Sequence, residues 1–490
     1  MKKSLFRVIL LIMTLSLLLT ACESHTHTYG AWSVDYEATC TEEGREIRVC
    51  ECGAKETKSI PAKKHIGGEW VIDAEPTHTE AGSKRQVCPV CDATISTQSI
   101  PALGFEDSDL YEVYYVDPAT VDITADGQTK NLIYIYLESM ETSFMSKDNG
   151  GTQNGVNYIP NLTQLAKDNV SFSNKSDGQL GGFYTFEGAT SWTMGALFAL
   201  TSGLPFNFPV EPNAMGSQEY FAPGITTIGD ILEDRGYNSV FLCGSNASFG
   251  GRKKYFTQHG SYLIYDLYTA RRNGDLPTSN YDNEFWGFED IYLYQIAKKE
   301  LTRLAAEDAP FNMTLLTVDT HFPKGYQCSV CGDTYDRDAT YDGNMRNVLL
   351  CADHQVMEFV KWCQEQDFYE DTVIVISGDH PFMSVNAEMV KGQAMNDRTV
   401  YNCIINSAVE APAGTTSNRL FTSMDMFPTT LAAMGFEIDG NQLGMGVNLF
   451  SGQKTVMEQT GHKVFAEEVI KKSDYYNEFT GFNAVNNAGS

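Results

Sequence analysis

Five residues stand where an apolar run gives way to polar chain. Glu138 follows "NLIYIYL", Thr190 precedes "SWTMGALFALTS", His321 follows "NMTLLTVDT", and Asp379 and His380 follow "DTVIVISG". Two carboxylates and an imidazole can bind a divalent ion such as Mn²⁺, Zn²⁺ or Mg²⁺ and leave coordination positions open. A threonine hydroxyl and a phosphate oxygen would fill them. The segment 191–201 reads as a helix with Thr190 at its N-terminus. There the helix dipole and free N–H groups favour an alkoxide and a bound phosphate, and a metal would lower the hydroxyl's pKa further. Ser191 and Thr193 lie about 100° and 300° further round a 3.6-residue turn. They read as helix-surface or supporting groups. A threonine ahead of an apolar run also serves as a plain helix cap, and one side chain can fill both roles.

The elements that must position these groups begin at Asn131. Strand-like runs ("NLIYIYLES", "YNSVFLCGS", "NMTLLTVDTHFP", "DTVIVISGDHPF") alternate with helical ones ("IPNLTQLAKDNV", "TTIGDILEDRGY", "EDIYLYQIAKKELTRLAAED", "CADHQVMEFVKWCQEQ"). That alternation predicts an α/β domain with a mainly parallel sheet sandwiched by helices. In such sheets ligands bind beyond the carboxyl ends of the strands, where Glu138, His321, Asp379 and His380 all fall. The expected catalytic domain covers residues 131–455, after a linker at 105–130 and before a C-terminal segment at 456–490.

The chain carries 63 acidic against 35 basic residues, a net charge of −28. That field opposes nucleic acid and other anionic polymers, so an anionic substrate needs a local cation. The first residues supply a different signal. Lys2, Lys3 and Arg7 precede an apolar stretch from Val8 to Leu19, which ends in Leu19-Thr20-Ala21-Cys22. This pattern predicts a lipoprotein signal peptide over 1–22. Cys22 would then be lipidated, anchoring an exported protein to the outer face of the bacterial cytoplasmic membrane.

Residues 25–104 repeat with a period of 38 residues: "HTYGAWSVDYEATC" returns as "HIGGEWVIDAEPTH", and both units close with "SIPA". Each unit offers four Cys or His ligands, the number a structural zinc takes. The expected sets are His27, Cys40, Cys50 and Cys52 in the first unit (23–64), and His65, His78, Cys88 and Cys91 in the second (65–104). An exchange of Cys40 for His78 at matched spacing suits a metal and not a disulfide. Units this small also lack an apolar core large enough to fold alone. Two zinc-ribbon-like modules holding two structural Zn²⁺ ions are therefore expected.

The span from Asn131 to about Gly452 resembles the alkaline-phosphatase/sulfatase superfamily, and within it the lipoteichoic acid synthases and the phosphoglycerol transferases of periplasmic glucan synthesis. The pieces that carry the resemblance are "YLES", "IPNLTQLA", "GATSWTMGALFALTSGLP", "FGGRKKYF", "WGFED", "TVDTHFPKGY", "VISGDH" and "DMFPTTLAAMGF". The resemblance implies one metal, commonly manganese, held by Glu138, Thr190, Asp379 and His380, with Thr190 as nucleophile. His321 would contact the phosphate or protonate the leaving alkoxide. Arg252, with Ser245 and Trp286, would bind the phosphate or glycerol.

The implied reaction moves phosphoglycerol from phosphatidylglycerol to a hydroxyl of a glycan or teichoic-acid-like polymer through a threonine-linked intermediate. The alternatives are a metal-dependent phosphodiesterase, a sulfatase-type hydrolase and a non-catalytic surface-binding lipoprotein. A sulfatase would need a modifiable Cys or Ser in a C/S-x-P-x-R context, and "TSWTM" has neither Pro nor Arg. The intact set of Glu138, Thr190, Asp379 and His380 argues against a decayed site. Six further cysteines (Cys243, Cys328, Cys331, Cys351, Cys363, Cys403) suit disulfides in an exported domain. Pairing of Cys328 or Cys331 with Cys351 is favoured over a third zinc site using His354.

Overall fold

The structure, a computed structural model, describes residues 26–76, 82–100, 108–127, 129–176, 178–278, 285–336, 341–384 and 387–482. Cys22 and His78 lie outside them. The chain divides into two compact units, the second taking over after residue 102. No helix among the described residues is long and apolar enough to cross a membrane.

The first unit holds two three-stranded antiparallel sheets, one per repeat. Strands β1 (Ser33–Tyr36), β2 (Gly44–Val49) and β3 (Lys55–Ile60) form one, and β4 (Trp70–Ala74), β5 (Gly82–Val87) and β6 (Thr94–Ile100) form the other. The 38-residue sequence repeat is thus a structural repeat. β1 and β4 are exposed along their whole length. Few side chains of this unit are buried among the described residues, so within each sheet the strands are held mainly by backbone pairing.

The second unit is built on a six-stranded sheet. Its strands are β7 (Asn131–Leu137), β8 (Asn238–Cys243), β9 (Leu263–Tyr265), β10 (Phe311–Leu316), β11 (Thr372–Gly378) and β12 (Asn402–Ile405), in the order β9-β8-β10-β7-β11-β12. Every neighbouring pair is parallel except β11 with β12. Side chains alternate across the central strand. Leu132, Tyr134 and Tyr136 enter one apolar cluster, and Ile133, Ile135 and Leu137 enter another. A strand buried on both faces reads as a continuous apolar run, as β7 does.

Helices cover both faces. α1 (Pro160–Asp168), α4 (Asp290–Leu304) and α5 (Tyr341–Gln364) send Leu162, Leu301 and Val360 into the second cluster. α2 (Thr193–Ser202) and α3 (Arg252–Gln258) lie on the other side. α2 is buried nearly all round, as its unbroken apolar sequence requires. The stretch expected as a linker contributes a helix at Leu110–Tyr114 and a strand at Ile123–Thr124 that pairs with Glu437–Ile438. The segment after 455 forms three short helices, and Phe465 and Tyr476 from it join the first cluster.

Of the six late cysteines, Cys331 and Cys351 form a disulfide, while Cys243, Cys328, Cys363 and Cys403 are buried thiols. The bond takes up the two sulfurs that a third zinc site would have needed.

Candidate active site and metal clusters

β7 and β11 are adjacent and parallel, with Leu137 opposite Gly378. Glu138 and Asp379 therefore leave the sheet side by side, and His380 follows. One ligand atom from each of the three lies within 4.8 Å of the others. His380 Nε2 is 3.5 Å from Glu138 Oε1 and 3.4 Å from Asp379 Oδ2. Each side chain is oriented by its own partners. Asp379 Oδ1 accepts the N–H groups of Ser139 and His380, both at 2.7 Å. Ser139 Oγ donates to Glu138 Oε1 at 2.7 Å, and Thr317 Oγ1 accepts the Glu138 N–H at 2.9 Å.

A divalent cation fits this set. His380 Nδ1 lies 2.9 Å from the Pro381 carbonyl, so it carries the proton and turns the Nε2 lone pair toward two carboxylates. Asp379 Oδ2 is buried with no hydrogen-bond partner. A lone pair and an orphaned carboxylate oxygen facing one point suit a positive charge between them. Burial and the charge of Glu138 push Asp379 well above the usual carboxylate range. Burial works the same way on Glu138, but His380, His321 and the Ser139 hydrogen bond outweigh it and leave Glu138 below its ordinary value.

The helix after Thr190 starts later than the sequence predicts. α2 begins at Thr193, with Trp192 in the N-cap position and no side-chain cap. Residues 186–190 instead form a turn, in which the Thr190 N–H donates to the Phe186 carbonyl and Thr190 Oγ1 accepts the Phe186 N–H, both at 2.9 Å. Thr190 is wholly buried there. The expected place of Thr190 at the helix start is thus corrected: it lies in the turn before the helix, which begins at Thr193. The hydroxyl that meets Glu138 is that of Thr193, whose Oγ1 lies 3.4 Å from Glu138 Oε2.

Thr193 and Glu138 line a cleft of about 250 Å³, together with Asn213, Ser245, Arg252, Trp286 and His321. The sequence singled out all of these except Asn213. Arg252 is 7% exposed, and its guanidinium donates to Ser245 Oγ (3.1 Å) and to the carbonyls of Asn246 (3.0 Å) and Phe249 (3.1 Å). Among the described residues it has no carboxylate within ion-pair distance, so its charge is available to an anion in the cleft. His321 Nδ1 bonds the Phe322 carbonyl at 2.8 Å, and its ring lies 4.6 Å from that of Trp286. A second pair of carboxylates holds this wall. Asp290, at the start of α4, accepts the N–H groups of Val318 (2.9 Å) and Asp319 (3.0 Å), and Asp319 Oδ2 accepts the Asp290 N–H (3.2 Å).

The cysteines and histidines of the first unit fall into two groups. His27, Cys50 and Cys52 form one, and Cys40, His65, Cys88 and Cys91 form the other. The expected membership of Cys40 in the first repeat's set is corrected: its loop, between β1 and β2, delivers it to the ligands of the second repeat. All five cysteines are free thiols. The N–H groups of Val90 and Ile66, with His65, hold Cys88 down to about 6. The Cys52 N–H and His27 do the same for Cys50.

Comparison with known proteins agrees with this architecture. Phosphoglycerol transferase I of Salmonella choleraesuis (strain SC-B67) is 30% identical over 347 residues, which is 70% of this chain and 41% of that protein. Its counterpart in Salmonella typhimurium matches to the same extent, 30% over 347 residues. The chain thus spans about two fifths of the length of the curated relatives it matches, 41%. Among solved structures, the lipoteichoic acid synthase LtaP from Listeria monocytogenes shares the fold, with a TM-score of 0.52 and 19% identity over 68% of this chain and 79% of that one. The sulfatase family model matches residues 130–436, a span that includes all six strands of the central sheet, and the chain belongs to that family.

Proposed function

We propose that this protein is a metal-dependent phosphoglycerol transferase of the cell surface, with Thr193 as its nucleophile. The observation that carries this reading is the Thr193 hydroxyl at the start of α2, 3.4 Å from Glu138, in the same cleft as an arginine without an acidic partner. Glu138, Asp379 and His380 would hold one divalent ion with Thr193 as a further ligand, and the oxygen-rich donor set suits Mn²⁺. Such an ion supplies positive charge that favours an alkoxide and neutralises a phosphoryl oxygen.

The chain's own groups do the rest. Arg252 binds the phosphodiester of phosphatidylglycerol and orients it, and the backbone N–H groups opening α2 face the same phosphate. The Thr193 hydroxyl passes its proton to Glu138 Oε2, 3.4 Å away, as its oxygen bonds phosphorus. His321 donates a proton to the diacylglycerol oxygen as that P–O bond breaks. An acceptor hydroxyl on a glycan or teichoic-acid-like polymer then bonds the phosphorus and yields its proton to His321. The P–O bond to Thr193 breaks as Thr193 regains its proton from Glu138, so that one hard displacement becomes two easier ones. The N-terminal signal would place the enzyme outside the cytoplasmic membrane, anchored through Cys22. Residues 23–104 would carry two structural zinc ions.

Intact-mass measurement after mixing the protein with phosphatidylglycerol tests the assignment. A phosphoglycerol adduct should map to Thr193. Thr193→Ala should abolish adduct and turnover while phosphatidylglycerol still binds. Thr190→Ala should keep turnover and lose about 1–3 kcal/mol of stability, because it strands the buried Phe186 N–H. An adduct on Thr190 or Ser191, or one that survives in Thr193→Ala, is incompatible with this role for Thr193.

A further inference from the structure

We infer that Cys40, His65, Cys88 and Cys91 bind one zinc ion jointly, so that the ion cross-links the two N-terminal repeats instead of closing the second alone. The inference rests on the reading that residues 23–104 bind zinc, and adds which side chains share an ion. Its basis is distance. A tetrahedral zinc with Zn–S near 2.3 Å and Zn–N near 2.0–2.1 Å sets neighbouring ligand atoms about 3.8 Å apart for two sulfurs and about 3.5 Å for sulfur and nitrogen. Cys40 Sγ lies 3.9 Å from Cys88 Sγ, and Cys91 Sγ lies 3.4 Å from His65 Nδ1. A disulfide would need about 2.05 Å. All four ligand atoms fall within 4.8 Å of one another.

The backbone brings Cys40 there by a defined route. Thr39 Oγ1 accepts the N–H groups of Thr41 (3.3 Å) and Glu42 (2.9 Å), which folds the β1–β2 loop into a tight turn. The Thr39 carbonyl accepts the Lys63 N–H at 2.9 Å, two residues before His65. The loop that carries Cys40 is thereby tied to the segment that carries the next ligand. On the far side, Cys88 opens a turn whose carbonyl accepts the Asp92 N–H at 2.9 Å, and this turn returns Cys91 to the same point. Cys40 and Cys88 are buried, in a unit whose strands β1 and β4 are exposed along their whole length. Burial of polarizable sulfur where two largely solvated sheets approach is what a shared ion produces.

Zinc content of the full-length protein, measured with single and paired Cys→Ala substitutions, separates the arrangements. The wild type should hold two structural ions beside any at the active site. Cys40→Ala and Cys88→Ala should each release one, and the double variant should still hold one, because both remove the same site. Cys40→Ala combined with Cys50→Ala should release both. The opposite pattern, in which Cys40/Cys88 loses two ions and Cys40/Cys50 loses one, overturns the shared site and leaves the zinc reading intact. A wild type without structural zinc overturns both. Should the variants fail to fold, cadmium-113 substitution of the wild type decides the matter. The Cys40 β-protons must couple to the same cadmium as those of Cys88 and Cys91, and coupling to a different ion refutes the shared site.

Discussion

Among the described residues between 26 and 100 the buried apolar side chains, Pro76 aside, are Ala38, Cys40, Cys50 and Cys88, three of them cysteines. The unit that begins after residue 102 buries two extensive apolar clusters, one on each face of its sheet. The ion pairs follow the same division. Arg45 and Asp35 pair on an exposed strand surface, with side chains 46% and 32% exposed, whereas Arg398 and Glu141 pair at 2.9 Å with both side chains wholly buried. In the first unit solvent reaches nearly everything, so stability must come from a few strong bonds. In the second, water is excluded over a large volume, and ordinary packing and buried polar contacts suffice. The lesson is that equal-looking contacts carry different weight according to what surrounds them.

Metal removal should break this contrast most visibly. A strong chelator should unfold residues 26–100 outright, because structural zinc in small modules contributes about 10–16 kcal/mol of apparent folding energy. The sulfatase-family unit should keep its fold and lose only activity. Limited proteolysis with and without chelator reads both outcomes at once, and a protease-resistant first unit in the chelated protein would refute the contrast.

Next in size is Arg398→Ala. Arg398 also donates to the Phe382 carbonyl at 3.0 Å, so its loss strands a buried carboxylate and a carbonyl together. Breaking a buried pair from one side costs about 3–5 kcal/mol, visible as a lower urea midpoint for the second unit only. A smaller effect depends on pH. Burial, which outweighs the N–H groups that Asp290 accepts, raises Asp290 from an ordinary 3.8 to about 7. The folded state therefore favours the protonated carboxyl. Its contribution to stability is fully present below about pH 4 and is lost as pH rises to 7. Asp290→Asn should flatten that part of the stability–pH curve relative to wild type. Arg45→Ala is the smallest change: an exposed pair contributes little, and the urea midpoint should not move within error.

Much of the site was legible because strand ends are legible. Apolar runs stop at Leu137 and Gly378, and neighbouring parallel strands then bring Glu138, Asp379 and His380 together. Arg252, Ser245, Trp286 and His321 likewise line one cleft. Which hydroxyl lies beside Glu138 was harder to read. "TSWT" offers three hydroxyls, and Thr190 has the look of a helix cap while serving a tight turn with Phe186. The true helix start has tryptophan as its N-cap and no capping side chain to announce it. Cys40 misled for another reason. A repeat aligns equivalent positions, but it does not say that ligands at those positions meet within their own repeat.

The mutual grip of Asp290 and Asp319 has a consequence for how the cleft can adapt over evolutionary time. It fuses the start of a 15-residue helix to the exit of β10. The lining residues Leu316 to Val318 on one segment, and Trp286 four positions before Asp290 on the other, therefore share a single anchor. A substitution that widens the cleft at one of these segments pulls against the other. Asn213 and Phe249 sit at the edges of short 3₁₀ turns instead, bound to no such clasp. New substrate preferences in this lineage should arise there first, where lengths and side chains can change without disturbing the frame that holds His321.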